Sequence, residues 1–447
     1  MKLYNTADRK IEEFKPLNEV VKVYTCGPTV YNFQHIGNFA AQIYWDLLVR
    51  TLRANDFKVR RVLNLTDVGH LVSDADEGED KLEKGAAREG KSAFEVAKFY
   101  ADDFFEGWRK LELLDPEVVA RATDYVEADM RAVDRMTANG FTYETEDGIY
   151  FDTSKFPEYA DFARLDLSGL QAGARVSFSD EKRNASDFAV WKFIKPGEKH
   201  EMRWDYLGRP GYPGWHLECS TIIHEELGEP IDIHTGGIDH VPIHHTNEIA
   251  QSYAISGRPL AKYWMHCDFI TIDGRKISKS LGNVYLISDL EERGFSALDY
   301  KMWVLSGHYQ GDRNFTFESL EASRNRRLNW RNRIAECYQK EVVSDDGAYE
   351  QVLAAVSNNL NSAEAFMLVD NFQVSLENWH KIDELFGLGL FKDAPEISEE
   401  LKGLIIEREK ARAEKNYVRA DEIRDELLRS NIAVKDTADG AIWQYNS

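Results

Sequence analysis

Proline is scarce in this sequence, at 11 of 447 residues, and cysteine is scarcer, at four. Cys26, Cys219, Cys267 and Cys337 are too few and too far apart for a disulfide framework. Cysteines spaced this way are buried apolar side chains, metal ligands or catalytic thiols. No apolar run approaches the ~20 residues that cross a bilayer. The opening residues, Met1-Lys2-Leu3-Tyr4-Asn5-Thr6, carry no apolar signal-peptide core. The expectation is a cytoplasmic protein with no membrane partner, and no obligatory protein partner is evident. Basic charge is in deficit too: 55 Lys and Arg stand against 77 Asp and Glu, a formal net charge of −22. That argues against a protein that coats nucleic acid, since phosphate contacts need Lys and Arg. It leaves room for a local basic face on an acidic body. Internal repeats and low-complexity linkers are absent.

What is present is globular in composition, with 43% hydrophobic and 30% charged residues. The length suits roughly three domains. Val20 to Thr25 is short and β-branched, hence a strand, and Cys26-Gly27-Pro28-Thr29 breaks it. Ile43, Leu47, Leu48 and Leu52 recur at helix spacing within Phe39 to Leu52, and Phe57 to Thr66 reads as a second strand. This βαβ unit predicts an α/β fold with a doubly wound parallel sheet. Ser73 to Asp80 is an acidic loop without the spacing or closing glutamate of a calcium loop, so it reads as solvated. Phe94 to Leu114 has a helical pattern. A mixed segment with several glycines then looks like an insertion, and the sheet resumes at Ile231-Asp232-Ile233-His234. Beyond Glu318 the pattern is almost wholly helical. Its last two helices, about Glu399 to Lys415 and Tyr417 to Ser430, precede a short tail with Trp443.

Two short motifs carry chemistry. His35-Ile36-Gly37-Asn38 follows a strand and opens a helix, where backbone N–H groups and the helix dipole favour an anion. Gly37 permits close backbone approach, and His35 and Asn38 can donate to phosphate or adenine. Lys276-Ile277-Ser278-Lys279-Ser280 places two lysines three apart on a loop that can close over a triphosphate and neutralise its developing charge. An ordinary surface loop is the bland reading of either motif alone.

Taken in this order, about 240 residues apart, the pair resembles the HIGH and KMSKS signatures of class I aminoacyl-tRNA synthetases. Here they read HIGN and KISKS. The resemblance implies that His35, Gly37, Asn38 and Lys279 bind ATP and that His35, Asn38, Lys276 and Lys279 act in adenylate formation. The flanking blocks are similar to the cysteine-specific members: Tyr24-Thr25-Cys26-Gly27-Pro28-Thr29-Val30-Tyr31, Gly214-Trp215-His216-Leu217-Glu218-Cys219-Ser220, Asp232-Ile233-His234-Thr235-Gly236-Gly237, and His244-His245-Thr246-Asn247-Glu248. The similarity runs over nearly the whole chain. It implies one zinc ion per chain on Cys26, Cys219, His244 and Glu248, and a cysteine pocket at Thr66, Trp215, His234 and Asp239. From spacing alone, Cys26 and Cys219 read as buried structural cysteines. His244 and Glu248, four apart, share one face of a helix start. Gly69 to Glu79, Thr235 to His244 and Gly208 to Gly214 depart from the family pattern around that pocket.

The implied activity is ATP-dependent activation of L-cysteine, with Mg²⁺ accompanying ATP, and transfer to cysteine tRNA. The implied organisation is a Rossmann-like first half at 1–118, a connective insertion at 119–205 and a second half with the zinc ligands at 206–262. A KMSKS-loop and stem-contact region follows at 263–318, then a helical tRNA-binding bundle at 319–397 and an anticodon-recognition part at 398–447. Arg324, Arg327 and Arg331 lie at helical spacing near Trp330 and form a candidate tRNA-binding stripe, with a plain solvated helix face as its rival. Two other functions stay open: a ligase joining cysteine to an amino-sugar in mycothiol synthesis, and a non-catalytic RNA-binding paralogue. The tail from Ser398 speaks against the first. His35, Lys276, Lys279 and the four ligand candidates speak against the second.

Overall fold

The computed structural model describes residues 1–68, 85, 90–165, 181–195, 197–198, 200–278, 281–437 and 440–446. The acidic loop at 73–80, the whole of the departure at Gly69 to Glu79, and Lys279 of KISKS lie outside the described residues. The chain opens with a hairpin of β1 (Lys2–Asn5) and β2 (Lys10–Glu13). The parallel sheet then begins with β3 (Val20–Thr25), α1 (Ile36–Ala54), β4 (Lys58–Leu65), α2 (Ala93–Lys110) and β5 (Val118–Arg121). Val21 and Val23 on one face of β3, and Tyr24 on the other, are all fully buried. Such burial on both faces is why the strand reads as a nearly continuous apolar run. A reciprocal cap starts α1: His35 Nδ1 accepts from the Asn38 amide at 3.2 Å, and Asn38 Oδ1 accepts from the His35 amide at 3.1 Å.

After β5 the chain leaves the sheet. Helix α3 (Val126–Ala138) leads into an antiparallel sheet of β6 (Thr142–Glu144), β7 (Gly148–Phe151), β8 (Phe188–Phe193), β9 (Trp204–Tyr206) and β10 (Arg209–Pro213), in the order β6-β7-β8-β10-β9. The expected insertion began at 119 and ended at 205. Strand β5 pairs with β4 across the first of these positions, and β10 lies beyond the second. The antiparallel sheet has its own core, including Phe151, Phe188, Val190 and Trp191. Gly214 joins it directly to α4 (Trp215–Glu226). A Cβ at Gly214 would sit 2.1 Å from the Ala189 carbonyl oxygen, so only glycine fits this junction.

The parallel sheet resumes with β11 (Ile231–Gly237), a π-helical turn at Val241–His245, α5 (Thr246–Ser256) and β12 (Ala261–Cys267). The strand order is β12-β11-β3-β4-β5, all parallel. The winding direction reverses between β3 and β11, which opens a crevice at the carboxyl ends of those strands. A small sheet of β13 (Ile270–Ile272), β14 (Arg275–Lys276) and β15 (Arg313–Phe315) follows, with α6 (Ile287–Glu292) and α7 (Ala297–Leu305) between β14 and β15.

The remainder is mostly helical: α8 (Phe317–Cys337), α9 (Ala348–Ser357), α10 (Ser362–Asn371), α11 (Leu376–Phe386), α12 (Leu390–Asp393), α13 (Glu399–Ala413) and α14 (Tyr417–Arg429). The expected short tail is instead a hairpin of β16 (Ile432–Thr437) and β17 (Gly440–Tyr445). Ile432, Trp443 and Tyr445 bury against Ile405, Ile423 and Leu427 of the last two helices. No helix among the described residues is long and apolar enough to cross a membrane.

Candidate active site and metal centre

The site occupies the crevice at the carboxyl ends of β3, β4 and β11. Because His35 Nδ1 is occupied as an acceptor in the α1 cap, its ring proton sits on Nε2, which makes that edge a donor. Tyr300 OH donates to the Ile36 carbonyl at 2.7 Å, and the Ile36 amide donates to the Tyr285 carbonyl at 2.8 Å, so α7 and the segment before α6 hold the HIGN turn. Gly37 faces the second motif: a Cβ there would lie 2.8 Å from Ile277 Cδ1. HIGN and KISKS are therefore in contact. Lys276 ends β14, and its carbonyl accepts from Asn283 Nδ2 at 3.1 Å while Asn283 Oδ1 accepts from the Ser278 amide at 2.9 Å.

One step before HIGN, Cys26 leaves β3 with its amide bonded to the Thr235 carbonyl at 3.1 Å and its carbonyl accepting from Gln42 at 3.1 Å. Cys219 comes from α4, His244 from the π-helical turn and Glu248 from the first turn of α5. One donor atom from each of these four lies within 4.8 Å of the others, and all four residues are buried. His216 Nδ1 lies 2.9 Å from His244 Nδ1, so the outer nitrogen of His244 is engaged and Nε2 turns inward. Glu248 Oε1 lies 2.8 Å from that Nε2 yet makes no hydrogen bond with usable geometry.

Electrostatics divide the four donors, favouring the deprotonated form of Cys26 and Glu248 and the protonated form of Cys219 and His244. Burial works against charge on the Cys26 thiol, but its bond with Cys219 and the nearby His245 outweigh it and pull its pKa well below the usual thiol range. Burial, followed by the bond to Cys26 and its charge, holds Cys219 well above that range. Burial also opposes ionisation of Glu248, yet His234 and His244 hold its pKa below the carboxylate range. Burial lowers the His244 pKa, but Glu248 more than compensates and pushes it up to about 10. Two sulfurs, one imidazole and one carboxylate held this closely without a basic side chain of Lys or Arg among them suit a soft-to-borderline divalent metal.

The other pocket candidates divide. Thr66 Oγ1 donates to Glu218 Oε2 of α4 at 2.9 Å, and both residues are buried. The half-buried Trp215 lies 4.5 Å, ring to ring, from His244. His234 stacks on Trp264 at 4.5 Å and reaches Glu248 Oε2 with Nε2 at 2.6 Å. Asp239 is exposed and folds its carboxylate back over Gly237 at the rim.

A family model for the class I (C) tRNA synthetase catalytic domain matches residues 13–325, and one for the cysteinyl-tRNA ligase anticodon-binding domain matches 394–443. A cysteine–tRNA ligase of Treponema denticola is 38% identical over 492 aligned positions, covering 99% of each chain. Cysteine–tRNA ligase 1 of Burkholderia lata is 41% identical and covers 98% of this chain and 95% of its own. The chain belongs to the cysteine–tRNA ligase family. Among solved structures, Mycobacterium tuberculosis methionyl-tRNA synthetase with methionyl-adenylate has a TM-score of 0.56 at 17% identity, covering 86% of both chains. That likeness is one of class I synthetase fold.

Within this member of the cysteine–tRNA ligase family, the arginine stripe on α8 divides, with Arg327 buried and Arg324 and Arg331 half-buried. Arg327 is 3% exposed, donates to the Leu388 carbonyl at 3.1 Å, and pairs with Asp299 at 3.3 Å and with Asp393. Arg331 donates to the Asp393 carbonyl at 2.6 Å, and Arg324 pairs with Glu321 at 2.7 Å. Arg327 therefore joins helices and does not face solvent as a phosphate contact would. The structure adds residues that the motifs did not single out: His216 behind His244, and His245 with Nε2 3.4 Å from Cys26 Sγ. His245 Nδ1 continues to His266 Nε2 at 2.7 Å, and His266 Nδ1 to Thr6 Oγ1 at 2.7 Å. The signal available for His216 and His245 was their place inside the Gly214 and His244 blocks. Nothing local pointed to Thr6 or His266.

Proposed function

We propose that this chain activates L-cysteine with ATP·Mg²⁺ and transfers the cysteinyl group to cysteine tRNA. One observation carries the reading: four donors of a thiophilic metal site converge at the end of β3, and the same segment runs on into the HIGN cap.

In the first step a carboxylate oxygen of cysteine attacks the α-phosphorus. The bond to the β-phosphate oxygen breaks, and cysteinyl adenylate and pyrophosphate result. The start of α1 turns its amide dipoles toward the phosphates, His35 Nε2–H and the Asn38 side-chain Nδ2–H supply donors, and Lys276 with Lys279 neutralises the leaving charge. In the second step the terminal ribose hydroxyl of the tRNA attacks the acyl carbon, and AMP leaves. No covalent enzyme intermediate is required.

Cys26, Cys219, His244 and Glu248 would hold zinc. When bound, zinc supplies a soft acceptor that favours a thiolate over an alcohol. A pocket reading shape alone separates such close analogues by only roughly 10–200-fold, so the donor set explains rejection of serine without an editing site. Trp215 beside His244, His234 beside Glu248, and Thr66 through Glu218 would line the thiol pocket. The C-terminal part from about 398 would read the anticodon. A cytoplasmic location accompanies this role.

The test joins metal analysis to amino-acid-dependent pyrophosphate exchange on the full chain. One zinc per chain and exchange that depends on cysteine but not on serine are expected. Exchange driven equally by serine, or a Cys219→Ala protein with unchanged preference for cysteine, would overturn the reading.

A further inference from the structure

Cys26 and Glu248 each present a second side to the cluster. Glu248 divides its carboxylate between two imidazoles: Oε1 lies 2.8 Å from His244 Nε2, and Oε2 lies 2.6 Å from His234 Nε2. Cys26 Sγ lies 3.4 Å from His245 Nε2. Donors of Cys26, His234, His245 and Glu248 fall within 4.8 Å of one another, as closely as those of Cys26, Cys219, His244 and Glu248. His234, His245 and Glu248 are fully buried.

We infer that the metal centre has two overlapping stations that share Cys26 and Glu248. The outer station is completed by Cys219 and His244, beside the half-buried Trp215. The inner one is completed by His234 and His245, whose rings lie 4.5 and 5.1 Å from that of Trp264. One thiolate, two imidazoles and one carboxylate form an ordinary donor set for zinc or cobalt. The inner imidazoles are already oriented. The bonds from His245 through His266 to Thr6 turn His245 Nε2 toward Cys26, and the stack on Trp264 fixes the plane of His234. Since two ligands are common to both stations, an ion can pass from one to the other without release, by rotation of one carboxylate and exchange of two neighbours. The inner set would hold within the protein an ion that Cys219 and His244 had let go.

This inference rests on the metal reading of the site, and the two fail separately. Wild-type protein that binds no Co²⁺ would end the metal reading itself. The inner station is tested in the full-length Cys219→Ala/His244→Ala double variant, checked for a wild-type melting profile and titrated with Co²⁺. One cobalt per chain is expected. Its sulfur-to-metal absorption should fall to about half the wild-type intensity, because one thiolate remains of two. A folded double variant that takes up no cobalt overturns the second station and leaves His234 and His245 as hydrogen-bonding supports. Should the double variant not fold, His245→Phe decides. It should keep the two-thiolate spectrum yet lose cobalt to a chelator several-fold faster, and an unchanged loss rate overturns the proposal.

Discussion

His234 Nε2 lies 2.6 Å from Glu248 Oε2, and neither side chain has any exposed surface. The carboxylate is thereby fixed by an imidazole on one side while its other oxygen faces the putting-together point of Cys26, Cys219 and His244. Glu248→Gln keeps the shape but replaces a charged oxygen donor with a neutral amide. Metal content should fall, with an affinity loss of at least the 10–100-fold typical of disturbed ligand support. Equilibrium dialysis against zinc measures it, and unchanged affinity would remove Glu248 from the ligand set.

Gly37 separates the two nucleotide motifs by one missing methyl group. In Gly37→Val the new side chain must displace Ile277 or the His35 ring, which lie 2.8 and 3.0 Å from the position of the Cβ. A shift of about 1 Å in positioned groups costs on the order of 100-fold in rate. Pyrophosphate exchange should therefore drop by roughly that factor, with zinc content unchanged. Equal loss of metal would show that the substitution acts through the whole crevice.

Asp46 carries a different load. It accepts from Arg50 at 2.8 Å, Lys301 at 2.9 Å and the Leu114 amide at 2.8 Å, and both Asp46 and Lys301 are wholly buried. Burial opposes its charge, but Lys301 and Arg50 bring its pKa down from the ordinary 3.8 to about 2. A carboxylate depressed in the folded state contributes stability above its unfolded pKa and loses it as pH falls through its folded one. Asp46→Asn strands Lys301 and should cost about 3–5 kcal/mol at neutral pH. The gap between the wild-type and variant melting profiles should narrow as pH falls from 3.8 toward 2.

Arg327 offers a test between packing and RNA contact. Loss of Arg327 leaves the buried Asp299 carboxylate unmatched and removes the pair with the half-buried Asp393, so Arg327→Ala should destabilise the protein by about 3–5 kcal/mol in denaturant unfolding. For the protein that stays folded, tRNA binding should be unaltered. A selective loss of tRNA affinity at wild-type stability would restore the stripe as an interface.

The catalytic core was legible where its signals were short in range. Val20 to Thr25, the break at Cys26 and the cap at His35 lie within 20 residues, so strand, turn and helix declare themselves locally. Cys26 and Cys219 meet through the winding of the sheet and through α4, and no spacing rule spans that distance. They were readable only by likeness to a family. Arg324, Arg327 and Arg331 show a different limit, seen at Arg327. Their helical period is real, but the carboxylates that claim Arg327 come from α7 and α12, and periodicity cannot tell a face turned to water from one turned to the acids of neighbouring helices. The closing hairpin was missed because only Ile432, Trp443 and Tyr445 commit to the core, while Lys435, Asp436 and Thr437 are exposed.

The junction at Gly214 sets a rule for how this chain tolerates change in length. Cys219 is the fifth residue of a helix that starts immediately after a strand pressed against β8. One residue added between Pro213 and Trp215 would turn every following side chain by about 100° around the helix axis. Cys219 would then point away from Cys26. The β9–β10 turn, where Leu207 is 62% exposed, can lengthen without that penalty. The inserted sheet thus acts as the indexing mechanism of α4: free to vary at its outer edge, and fixed to the single residue where it hands the chain back.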